Sequence, residues 1–253
     1  MQAEEKRLNS SLVYTLKDGR KKVTKKSLIA KYGGDKLAVV AQTIKHPSVL
    51  DKYREAKRNQ FPAPIDHVSL AEIESTTPPN FKKLLEKLAL VLAGKEQAAA
   101  YENVVEEVLS ALFYPALTSP TKQHKIHQNR KRIDLIYVNS ANSGFFNWLS
   151  LHYPSGHIFI ECKNYTEDVK NPEIDQLSSR FSPSRGRVGF LISRKISNRP
   201  LLMQRCLDTA KDDRGFIIPL DDDDLKKLVH DSETIENPMM FPHLKKMFNE
   251  LIM

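Results

Sequence analysis

The stretch HIFIECKN, residues 157–164, is dense in β-preferring residues yet carries two opposite charges inside it. Side chains alternate across a strand, so Glu161 and Lys163 share one face while Ile160 and Cys162 share the other. Lone charges are too costly to bury in an apolar sheet. The strand therefore belongs to a sheet that holds a paired charge, a bound cation or a water-filled cleft. An E-x-K tripeptide is short and common, and by itself it reads as a salt bridge on a solvated sheet face. Its surroundings carry more information.

Upstream, KRIDLIYVN, residues 131–139, alternates Ile133, Leu135 and Tyr137 with Asp134, Ile136 and Val138 and is predicted to be a strand. Asp134 sits 27 residues before Glu161, so two carboxylates converge if these strands are neighbours. Downstream, NPEIDQLSSRF predicts a helix with Asn171 as N-cap and Pro172 at the first helical position. It carries Gln176, with Arg180 one turn later. RVGFLISRK and GFIIPLD read as further strands, and LLMQRCLDTAKDD and DDDLKKLVHD as helices. Residues 81–113 form a long helical stretch broken near Gly94, with Tyr101, Val105, Val108, Leu109 and Leu112 on one face. Between it and the first strand, YPALTSPTKQHKIHQN is predicted as a loop. The order from residue 81 predicts an α/β fold, a mixed sheet flanked by helices.

The N-terminal part differs. Residues 1–60 hold fifteen Lys/Arg against six Asp/Glu, whereas the remaining 193 hold twenty-four against twenty-five, so the excess of +8 belongs to the N-terminal quarter. Two short helices are expected between Ser27 and Gln60, broken at Gly33-Gly34. Residues 61–80, with four of the fourteen prolines, read as a linker to a domain spanning 81–253. A small, mainly helical, basic module of this kind suits a nucleic acid or a partner protein. No apolar run approaches the roughly 18–20 residues that span a bilayer, and the longest, such as Leu88–Ala93, is far shorter. The N-terminus lacks the pattern of a secretory signal, and Cys162 and Cys206 suggest no disulfide framework, so a cytoplasmic location is expected.

Taken together, Asp134, the Glu161-x-Lys163 strand, Gln176 and the helix bearing Tyr101-Glu102 resemble the PD-(D/E)XK restriction-endonuclease-like nuclease superfamily, and in pattern its Mrr-like restriction endonucleases. The resemblance covers about residues 95–230. It implies a restriction-endonuclease-like sheet and assigns Asp134, Glu161, Lys163, Gln176 and Glu102 to catalysis. Ile133 stands where the superfamily is named for proline, and Glu106 and Glu107 share the helix with Glu102.

The implied activity is hydrolysis of DNA phosphodiester bonds, in a setting of bacterial restriction or anti-phage defence. Asp134, Glu161 and Glu102 are then the expected ligands of Mg²⁺, with Mn²⁺ able to substitute, because hard cations take oxygen ligands and activate water. Lys163 would stabilise the phosphate charge and orient the water, held by the Gln176 amide. Lys122, Lys125, Arg130, Lys131 and Arg132 would meet DNA phosphates from the segment entering the first strand. Cutting both strands with one site per chain suggests a homodimer. The alternative is a nucleic-acid-binding or conditionally active subunit of a larger complex, docked through residues 1–60. Asp221–Asp224 read as a helix cap rather than a metal box, Cys162 as a core residue, and Trp148 with Phe145 and Phe146 as packing.

Overall fold

The computed structural model describes residues 11–58, 65–126 and 131–253. The chain divides into two compact units, Met1–Pro64 and Ile65–Met253. None of the described helices is long and apolar enough to cross a membrane.

In the first unit a two-residue hairpin, β1 (Tyr14–Thr15) with β2 (Lys21–Lys22), turns at Gly19. Three helices follow, where two are expected from the sequence: α1 (Lys25–Tyr32), α2 (Lys36–Lys45) and α3 (Ser48–Arg58). Thr24 caps α1 by accepting from the Ser27 amide, and Asp35 caps α2 by accepting from the Ala38 amide. The break at Gly33 has φ of +87°, a conformation L side chains rarely adopt, and Pro47 supplies a second break between α2 and α3. Neither α1 nor α2 buries a residue, and Leu37 and Ile44 are 79% and 75% exposed.

The second unit begins with α4 (His67–Glu74), inside the segment read above as linker. Its cap is Asp66, and the His67 ring nitrogen lies 2.7 Å from the Ala111 carbonyl oxygen. The segment read above as a linker thus contains a helix. Next come α5 (Phe81–Leu90) and α6 (Ala98–Phe113), separated at Gly94 as expected.

Five strands form one sheet in sequence order: β3 (Leu117–Ile126), β4 (Lys131–Asn139), β5 (His157–Lys163), β6 (Val188–Ser193) and β7 (Phe216–Asp221). β3, β4 and β5 run antiparallel, and β5, β6 and β7 parallel. The fold is thus α/β with a mixed sheet. The supposed loop after α6 is the edge strand β3. Its polar sequence, Pro120 and a register shift between Thr118 and Thr121 hide it, since edge strands tolerate proline and bulges that a central strand does not.

Helices α7 (Gly144–His152), α8 (Asn171–Ser178), α9 (Arg199–Lys211), α10 (Asp222–Thr234) and α11 (Pro242–Ile252) complete the unit. α8 is preceded by Lys170 as N-cap, one residue before the expected Asn171. Phe145 and Phe146 on α7 are buried, and Phe146 meets Phe113 edge-on at 5.1 Å. Leu135 and Tyr137 of β4, Ile158 and Ile160 of β5, and Phe190 and Ile192 of β6 share the sheet face under α6. There the Tyr137 hydroxyl lies 2.8 Å from that of Ser110 and Phe190 contacts Phe113. Phe159, Glu161, Lys163, Gly189 and Leu191 share the other face, closed by α8 and Phe181.

Candidate active site

The recorded pairing of β4 with β5 ends at Leu135 opposite Ile160. β4 and β5 are neighbours, the condition under which the sequence spacing brings Asp134 toward Glu161, and Asp134 is the next residue beyond the paired ladder. The strand ladder gives way here to a side chain: the Asp134 carboxylate accepts from the Cys162 amide at 3.0 Å.

Glu161 is 0% exposed. Its Oε1 accepts from Lys163 Nζ at 2.7 Å and from Gln176 Nε2 at 2.6 Å, and its Oε2 accepts from the Arg180 guanidinium. Lys163 Nζ also donates to Gln176 Oε1 at 3.3 Å. Because the Gln176 amide both donates and accepts, it links the carboxylate to the ammonium. Alternation on β5 delivers the E-x-K pair to this face. α8, the next element after β5, delivers Gln176, and the turn beyond it delivers Arg180. The sequence signal for Arg180 was its position one turn after Gln176. Its role as the partner of Glu161 was not read from it.

Glu102 is also buried, but it rises from α6 on the other face of the sheet. Its charge and that of Asp134 both act on Cys162, whose thiol is pushed well above the usual range, first by burial and then by these two carboxylates. The raised thiol disfavours a thiolate at neutral pH, in keeping with the packing of Cys162 against the core.

These placements bear on the expected cation. Among the described residues no group of three His, Cys, Asp or Glu side chains is arranged to hold a metal ion. Both oxygens of Glu161 are engaged by three donors, two of them cationic. In this arrangement Glu161 therefore has no donor-free oxygen to offer a Mg²⁺ or Mn²⁺ ion.

Of the basic residues assigned to phosphate contact, Lys122 donates to Asn103 at 3.0 Å and pairs with Glu106 at 3.0 Å, which ties β3 to α6. Arg130 lies outside the described residues, as do the side chains of Lys125, Lys131 and Arg132. A cleft of about 310 Å³ is lined by Lys95, Asn164, Tyr165, Lys170 and Glu173, among others, from the segment that follows β5. Asn164 is buried and donates to the carbonyls of Leu92 and Gly94, fixing the α5–α6 connection to the end of β5.

At the next strand end, Asp221 caps α10 by accepting from the amides of Asp223 and Asp224. Arg199 bridges Asp221 and Asp224, and the His243 ring meets Asp224 at 2.8 Å. The aspartate run serves as a cap, as its position after a strand implied.

Compared with known proteins, the chain matches no family model, no curated protein and no solved structure.

Proposed function

We propose that the protein is a DNA endonuclease whose α/β unit belongs to the restriction-endonuclease-like class. The observation that carries this reading is the joining of Lys163 and Gln176 to the buried Glu161 carboxylate at the end of β5, with Asp134 bound to the amide of the next residue, Cys162. Lys163 supplies positive charge where a phosphate gains negative charge on attack by water. Gln176 fixes its position. Asp134, partly exposed, is the carboxylate available to hold the attacking water. The basic first unit adds affinity for the polyanion without reading bases.

The test is nicking of supercoiled plasmid by purified protein in Mg²⁺, in Mn²⁺ and in EDTA, with an RNA substrate in parallel. Lys163→Ala and Asp134→Ala are expected to lower the rate by about 10²-fold or more while folding normally. Undiminished nicking by folded Lys163→Ala protein would sink the assignment.

The threefold engagement of Glu161 favours one second reading, a subunit that is active only when assembled. DNA retention without cleavage, followed by cleavage once a protein docked on residues 1–60 is supplied, would select it.

A further inference from the structure

We infer that Arg180 is a built-in counter-ion that occupies the place of a divalent cation at Glu161, so that metal binds this site only by displacing the guanidinium. The inference rests on the nuclease reading of the site and concerns its regulation. Glu161 is 0% and Arg180 4% exposed, and the guanidinium holds the one oxygen, Oε2, that Lys163 and Gln176 leave open. Around this single carboxylate stand two cations, Arg180 and Lys163. A divalent ion approaching them meets repulsion in a water-poor pocket, where charges are weakly screened. It also finds no oxygen free of a donor.

The local chain holds Arg180 in this position. It is the second residue beyond α8, and its amide donates to the Leu177 carbonyl at 3.0 Å while Arg185 donates to its carbonyl at 3.0 Å. The turn closes as Ser182 and Gly186 exchange backbone hydrogen bonds at 3.0 and 2.8 Å. Arg180 and Glu161 thus sit on separate elements, the turn beyond α8 and the strand β5.

The proposal makes a sharp distinction between two substitutions. Arg180→Met keeps an unbranched apolar stem and removes the charge, freeing Oε2. Arg180→Lys restores a cation. Mn²⁺ binding is measured without DNA, by calorimetry, on the full chain, with folding checked by thermal melts. Arg180→Met is expected to bind Mn²⁺ at least about ten-fold more tightly than wild type, Arg180→Lys to return toward wild type, and Glu161→Gln added to Arg180→Met to abolish the gain. Binding by Arg180→Met no tighter than wild type overturns the inference, as does a gain that survives Glu161→Gln or equal gains in the Met and Lys variants. Failure of both Arg180 variants to fold also overturns it, since Arg180 is then a structural residue. The nuclease reading fails separately: tighter metal binding without plasmid nicking removes the activity and leaves the counter-ion, and Lys163-dependent nicking with unchanged metal binding does the reverse.

Discussion

Single side chains in this protein are set by their neighbours more than by their type. Asp222 and Asp224 lie two positions apart at the start of α10 and diverge. Burial pushes Asp222 up to about 6, against a hydrogen bond from Tyr101 and the charge of Arg194. Burial also opposes ionisation of Asp224, but the hydrogen bond from His243, the Asp221 amide and Arg199 outweigh it and hold the carboxyl at about 2. A carboxyl whose folded value is depressed contributes stability above its unfolded value near 3.8, and loses it as pH falls through about 2. Asp224→Asn is thus expected to destabilise the fold by about 1–2 kcal/mol at pH 7. In melts at stepped pH, its deficit against wild type should shrink between pH 4 and pH 2; a deficit independent of pH would refute the charge-based account. Strand alternation made it legible that Glu161 and Lys163 share a face, while the roles of Asp134, Glu161, Lys163 and Gln176 came from the resemblance. Glu102 was assigned by resemblance, and a helix position cannot reveal which face of a distant sheet it will meet. The pairing of Arg180 with Glu161 depends on the angle at which α8 leaves β5, which no spacing rule encodes.

Among the elements, those with strong periodicity announced themselves and those shaped by tertiary packing did not. β4 to β7 and helices α6, α9 and α10 follow patterns of period 2 or 3.6. β3 is polar and bulged, and α11 lies beyond the last strand-helix pair, where the reading ended at the capped helix. α11 is nonetheless part of the core, since Leu244, Met247, Phe248 and Leu251 are buried. The turn between α8 and β6 is equally specific. Gly186 has φ of +146°, and a Cβ there would come within 2.5 Å of the His157 carbonyl oxygen. Gly186→Ala is expected to destabilise by at least about 1 kcal/mol, through strain and displacement of β5. Denaturant melts measure it, and a midpoint equal to wild type would show that the turn relaxes freely.

At the level of the whole molecule, the chain separates charge from structure. The second unit contains the sheet and an extensive apolar core, and the first carries the positive excess on helices that bury little. The charge division was legible from counting alone. The boundary between Pro64 and Ile65 was not, because α4 is short and lies between two proline pairs. Electrostatic contact with DNA releases counterions, so the logarithm of affinity falls linearly with that of salt concentration, with a slope of about −0.9 per phosphate neutralised. A chain beginning at Ile65 is expected to keep its thermal stability and to show a shallower slope than the full chain in fluorescence-anisotropy titrations. Identical slopes would mean that residues 1–64 do not touch the nucleic acid.

The point where β4 parts from β5 has one more effect. The Cys162 amide is held there by the Asp134 carboxylate rather than by a strand partner, so its exchange with solvent deuterium is governed by a side chain. Amides in the ladders open only with larger parts of the sheet. Protection at Cys162 is therefore expected to respond to the state of Asp134, a signal from the site that is readable before any reaction is known.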